Sequence, residues 1–170
     1  LFLIVLATMI LPEHVRLVAT YLLFTWMGWV GTFLPLIAPN WFAPAFFVFL
    51  MRQFFMTIPK EYDDSAYIDG CSPLGMFWRI HLPLSLPAVG VVIIFQITFQ
   101  WNDFLNPLIY LNKVQMYTVA LGLRLFQGQM SNNMQGLMAA SLMGILPTLL
   151  VFFFAQRYFV QGIVVTGVKG

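Results

Sequence analysis

"IPKEYDDSAYIDGCSPLGMFWRIHLPLSLP", residues 58–87, separates two long apolar stretches and carries Glu61, Asp63, Asp64 and Asp69, leaving only Glu13 and Asp103 as acidic residues elsewhere. Elementary helix rules divide it. Pro59 can open a helix, and the carboxylates of Glu61, Asp63 and Asp64 then fall in its early turns, where the positive end of the helix dipole favours them. Gly70 can end that helix by adopting a positive φ at little steric cost. Ser72 and Pro73 suit the cap and first position of a second short helix running towards Ile80. The expectation is two short helices joined at a glycine elbow. Ile58, Tyr62 and Ala66 share one face of the first, while Phe77, Trp78 and Ile80 are more apolar than an exposed loop requires, so something covers this connector. These properties alone leave two covers open, lipid headgroups or a soluble partner.

The rest of the chain is apolar. Of 170 residues 61% are hydrophobic and 8% charged, with a mean hydropathy of +0.86, whereas an ordinary soluble domain is about one quarter charged. The composition is that of a membrane protein in contact with a lipid bilayer. A formal charge of +2 spread over scattered Lys and Arg gives no basic patch for nucleic acid. Cys71 has no second cysteine to pair with, and His14 and His81 are the only histidines, so neither an internal disulfide nor a metal set is expected.

Spans follow from apolar length. Residues 1–11 would cover about 16 Å as helix, half a hydrocarbon core, and read as the end of a truncated span that leaves the bilayer at Pro12. Residues 17–40, aromatic and interrupted by Gly28, Gly31, Pro35 and Pro39, suit an interfacial or re-entrant segment. Complete spans are expected over 36–57, 84–111 and 136–160, with 112–136 as an amphipathic surface segment. The fold class is therefore all-α: a polytopic membrane helix bundle in one domain, 1–170, with short helices in the connector. Arg52, Lys60, Arg79, Arg157 and Lys169 fall on the connector's side against Arg16, Lys113 and Arg124 opposite, which places the connector and the C-terminus in the cytoplasm.

Within the spans, Gly136, Ala140 and Gly144 recur at every fourth position, a small-residue face for close helix packing. Asn102 and Asp103 are expected near the far end of the second complete span. They mark an interface, hydrogen-bond between helices, or touch a solute in company with Trp101, Phe104 and Tyr110. Arg52 ends the first span and can snorkel.

The connector also resembles the EAA loop of bacterial ATP-binding-cassette importer permeases, a pattern of Glu-Ala-Ala, three residues, Gly, nine residues, Ile, one residue and Leu-Pro. Asp64-Ser65-Ala66, Gly70, Ile80 and Leu82-Pro83 stand at that spacing, with Asp69 before the glycine. Asp64 and Ser65 depart from the pattern and keep its size and character. "FLMRQFFMTIPKE", "WNDFLNPLIYL" and "AQRYFVQGIVVTGVKG" are similar to the sugar-importer branch related to the maltose-type inner-membrane subunit. The resemblance implies that residues 58–83 form coupling helices seated on ATPase subunits. It also implies two such subunits, a second and usually different permease, an extracytoplasmic solute-binding protein, a bacterial inner-membrane location, and about two further helices before residue 1. ATP and Mg would be bound by the ATPase subunits. This chain has no G-x-x-x-x-G-K-[ST] loop and no cofactor site, and it is not expected to be an enzyme. The competing reading is a membrane channel or scaffold that needs no ATPase and rests its connector on lipid.

Overall fold

The computed structural model describes residues 2–129 and 134–166, and among them every regular element is helical. Helix α1 (Phe2–Ile10) turns by 99° into α2 (Glu13–Trp26) at Leu11-Pro12. The proline explains the break, because it has no amide to continue α1 and its fixed φ suits the residue just before a new helix. The chain does not simply leave a span here, as expected above: α2 is a regular helix, and the interruptions are confined to the segment after it. That segment holds α3 (Leu34–Ile37) and a 3-10 turn, Ala38–Trp41. At its start Gly31 has a φ of +83° and donates its amide to the Tyr110 carbonyl at 2.8 Å, so the turn is tied to a distant part of the chain.

Helix α4 (Ala45–Phe55) follows Pro44. The expected span over 36–57 is thus present as Leu34–Phe55, broken before α4 rather than continuous. Arg52 does not merely snorkel: its guanidinium lies 4.2 Å from the centre of the Phe2 ring, pinning α4 to α1 by a cation–π contact.

The connector supplies α5 (Glu61–Ile68), α6 (Pro73–Met76), a π-helical turn (Phe77–His81) and α7 (Leu82–Leu84). A bend of 71° leads into α8 (Leu86–Trp101). Ser85 occupies the bend with none of its surface exposed, its hydroxyl donating to the Leu82 carbonyl at 3.0 Å. A buried hydroxyl must find such a partner, and this one spends it locally on the turn it stabilises.

Helix α8 stops ten residues before the expected end of its span at 111. Asn102 turns its side-chain amide back to the Thr98 carbonyl at 2.8 Å, and the Asp103 carboxylate accepts the Asn106 backbone amide at 3.2 Å in the first turn of α9 (Leu105–Tyr110). Short polar side chains that satisfy backbone groups end a helix in this way.

Helix α10 (Val119–Gln129) packs on α11 (Met134–Thr166), which contains the second candidate span, Met134–Phe154. The core runs along α8, with Ala88 and Ile94 buried, and continues through Phe24, Tyr110, Leu111 and Leu121. The α8–α11 contact is the most extensive between helices. Gly136, Ala140 and Gly144 lie on the half-buried side of α11, whereas Met138, Leu142 and Met143 face outward. At Gly144 a Cβ would stand 3.2 Å from Leu123 Cδ1, and Trp101 Nε1 donates to the Gly144 carbonyl at 2.8 Å. Trp101 is therefore a helix-to-helix tie, and the small residue lets α10 and α8 approach α11 closely.

Candidate functional site

Each end of the connector elbow is built by local chemistry. Helix α5 closes in a Schellman motif: Gly70 has a φ of +73°, its amide donates to the Tyr67 carbonyl at 3.1 Å, and the Cys71 amide donates to the Ala66 carbonyl at 2.9 Å. These bonds satisfy carbonyls that the helix end would orphan, and they fix the exit direction of the chain. Ser72 then caps α6, accepting the Gly75 amide at 3.2 Å, with Pro73 in the first turn. Gly75 lets this cap close, since a Cβ there would lie 3.0 Å from Cys71 Sγ. Two short helices about a glycine elbow are what the residues led one to expect. The second does not run on as one helix towards Ile80 but passes into the π-turn. Ser72→Ala is expected to cost the cap about 1 kcal/mol, which would speed hydrogen exchange of the 74–76 amides roughly fivefold; an unchanged exchange rate would show that the cap is not holding this turn.

A contact invisible at the level of spacing braces the elbow. His81 Nε2 lies 2.9 Å from Asp63 Oδ1. That oxygen is enclosed and receives no hydrogen bond of good geometry, so the contact is a close approach that becomes an ion pair only with a protonated His81. Phe55 adds an edge contact to the same imidazole, with centroids 6.1 Å apart. The pair links α5 to the π-turn directly across the elbow.

Ala66 is 4% exposed and turned inward, so its side chain holds α5 in place rather than offering a surface. Asp64, Ser65, Asp69, Gly70 and Pro83 are exposed, and Ile80 and Leu82 half-buried. Beside them stand large apolar groups open to the surroundings: Ile68 is 87% exposed and Trp78 62%, with Tyr67 and Leu74 also exposed. Together they form an aromatic and aliphatic rim on the connector, and Tyr67, Ile68 and Leu74 are not part of the motif pattern. Their apolar character on a polar connector was the available signal.

A second feature lies among α2, the 39–47 segment and the end of α8: an open cleft of about 1030 Å³. Asp103 lines it and Asn102 is not among its lining residues; Tyr110 lines it, and Trp101 and Phe104 do not. Asn40, Gln96 and Gln100 complete its polar wall, brought together from separate segments, with Gln96 Nε2 donating to Asn40 Oδ1 at 3.2 Å. Among the described residues no cluster of His, Cys, Asp and Glu could hold a metal ion.

Known proteins share this chain's sequence along its length. The family described as binding-protein-dependent transport system inner membrane component matches residues 1–165. The arabinooligosaccharides transport system permease protein AraQ of Bacillus subtilis is 37% identical over 170 residues, covering 100% of this chain and 60% of that protein. The sn-glycerol-3-phosphate transport system permease protein UgpE of Brucella suis is 34% identical over 167 residues, covering 97% and 59% respectively, and protein LplC of Bacillus subtilis is 34% identical over 168 residues, covering 91% and 57%. The chain thus spans about three-fifths of the length of these relatives. It belongs to the family of inner-membrane components of binding-protein-dependent transport systems.

Proposed function

We propose that the chain is the permease subunit of an ATP-driven importer of a sugar or related polyol, and that residues 58–83 carry movement from cytoplasmic ATPase subunits to the spans. The observation that carries this reading is the connector: a short segment fixed by a Schellman motif, a serine cap and the Asp63–His81 brace, with Ile68 and Trp78 presented outward. A lid or a flexible loop needs no such bracing, whereas a lever does, because motion applied to a compliant segment is lost as bending. Closure of two ATPase subunits on nucleotide would push the connector and rock the spans as a body, alternating access to the pathway. A second permease subunit would form the other half of the pathway and an extracytoplasmic binding protein would deliver the solute. The solute class is supported by the names of the relatives, which include an arabino-oligosaccharide and a glycerol-phosphate system. ATP chemistry falls to the partner subunits.

Photo-crosslinkers at positions 68, 78 and 66 test this in the full-length chain expressed with its neighbouring transporter genes. Positions 68 and 78 are expected to capture an ATPase subunit in a nucleotide-dependent manner, and buried position 66 is not. Capture of lipid alone at 68 and 78 would overturn the reading in favour of a membrane channel or scaffold.

A further inference from the structure

The cleft beside α8 has a chemical character that the connector does not explain. Apart from Thr98, helix α8 is otherwise apolar, yet Gln96, Phe99 and Gln100 occupy one stripe of it, at i, i+3 and i+4, and Asp103 just past its end continues the wall; all four line the cleft. In a bilayer such a stripe is tolerated only where it faces water, protein or a ligand, because lipid cannot satisfy amides and carboxylates. The existing bonds leave much of this wall unspent. Gln96 donates one N–H to Asn40 and retains a second donor and its carbonyl, and the Gln100 amide has no hydrogen-bond partner among the described residues. Phe42, Phe46 and Phe99 are exposed beside these amides. Amides that both donate and accept, set among aromatic rings, match a molecule with hydroxyls on its edge and C–H groups on its face.

Charge narrows the class. The cleft is lined by two carboxylates, Glu13 and Asp103, and one cation, Arg16. Asn106 spans the carboxylates, its side-chain amide donating at 3.3 Å to Glu13 Oε1 and at 3.0 Å to Asp103 Oδ2. The acidic pair is thereby held together at one end of the cleft, where an anionic group would meet two like charges for one opposite. An uncharged solute meets no such cost and can donate its hydroxyls to the carboxylates. At about 1030 Å³ the space is at the upper end of small-molecule sites, which run to about 1,000 Å³, and accommodates more than one small ring.

We propose that this cleft is a solute-contact site on this chain itself, and that it selects an uncharged polyhydroxylated solute over an acidic one. The proposal rests on the importer reading for its physiological role, and its test is made independent of transport. In a Cys71→Ser background, Ala43→Cys, an exposed position lining the cleft, is introduced into the full-length chain, assembled with its companion subunits in proteoliposomes, and labelled with a maleimide. Arabinotriose, maltotriose and xylotriose are supplied as neutral probes and digalacturonate as the acidic one. At least one neutral trisaccharide is expected to slow labelling fivefold or more while digalacturonate does not, and Asp103→Asn is expected to narrow that difference. Equal protection by digalacturonate, or no protection by any neutral probe, overturns the proposal. Protection without ATP-dependent uptake would instead overturn the importer reading and leave the site standing.

Discussion

Under the importer function proposed above, Gly70→Val is expected to remove at least nine-tenths of ATP-driven uptake while leaving the chain in the membrane. The effect is conformational and not steric, for a Cβ at Gly70 would find no atom within 4 Å. What it would meet is its own backbone: a φ of +73° costs an ordinary L-residue about 1–2 kcal/mol, and a β-branched one more. If the elbow relaxes to a negative φ, the Cys71-to-Ala66 and Gly70-to-Tyr67 bonds of the motif are lost together, at about 1 kcal/mol each. By either route the native geometry of the elbow is penalised by about 2 kcal/mol, more than a tenfold shift in its population. Gly70→Asn, which reaches the left-handed region more readily, is expected to retain more uptake. The measurement is uptake into vesicles, normalised to the amount of the chain in the membrane and to subunit assembly. Uptake by Gly70→Val within twofold of the unsubstituted transporter would mean that the elbow is not the lever proposed here.

Gly144→Leu is expected to lower the thermal stability of the assembled protein, with its effect on the helix bundle rather than on the connector. Even the first added carbon would lie 3.2 Å from Leu123 Cδ1 and 3.5 Å from Val119 Cγ1, so a leucine must push α10 outward or shift α11 against α8. Overpacking of this kind costs about 1–3 kcal/mol, and displacement also endangers the bond from Trp101 Nε1 to the Gly144 carbonyl. A shift of this size corresponds to a fall in Tm of about 2–12 °C for a chain of this length. Gly122→Ala is the matched control, since a Cβ there meets nothing within 4 Å and alanine is the better helix former. A Tm for Gly144→Leu equal to that of Gly122→Ala would show that the close approach at Gly144 is not needed.

These residues also show where reading the chain succeeds and where it stops. Gly70, Ser72 and Pro73 act within a few positions of themselves, through φ, a cap and a missing amide, so spacing alone revealed the elbow. The helical period likewise pointed to Gly144, where α10 and α11 approach closely. The Asp63–His81 brace was hidden because it depends on how sharply the connector folds back. The cleft was hidden more deeply: Asn40, Gln96 and Glu13 belong to separate helical segments, and nothing local to any of them signals the others. The early end of α8 was readable in principle from Asp103 and Asn106 ahead of Pro107, a capping pattern outweighed by the apolarity on both sides. Similarly, Pro12 marked a change of direction correctly while leaving open whether helix resumed beyond it.

The π-turn at Phe77–His81 has a kinematic meaning. A turn closed by i→i+5 bonds takes up one residue more than α-helical register allows, so the segments before and after it are out of rotational phase by about 100°, the angle of one α-helical residue. If the connector is the lever proposed above, a push received on the outer rim near Leu74 would not emerge along the same azimuth at Leu84 and α8. The connector would then act as an offset crank, carrying force around a corner and re-aiming it, with the direction in which α8 is driven set by where that single surplus residue lies.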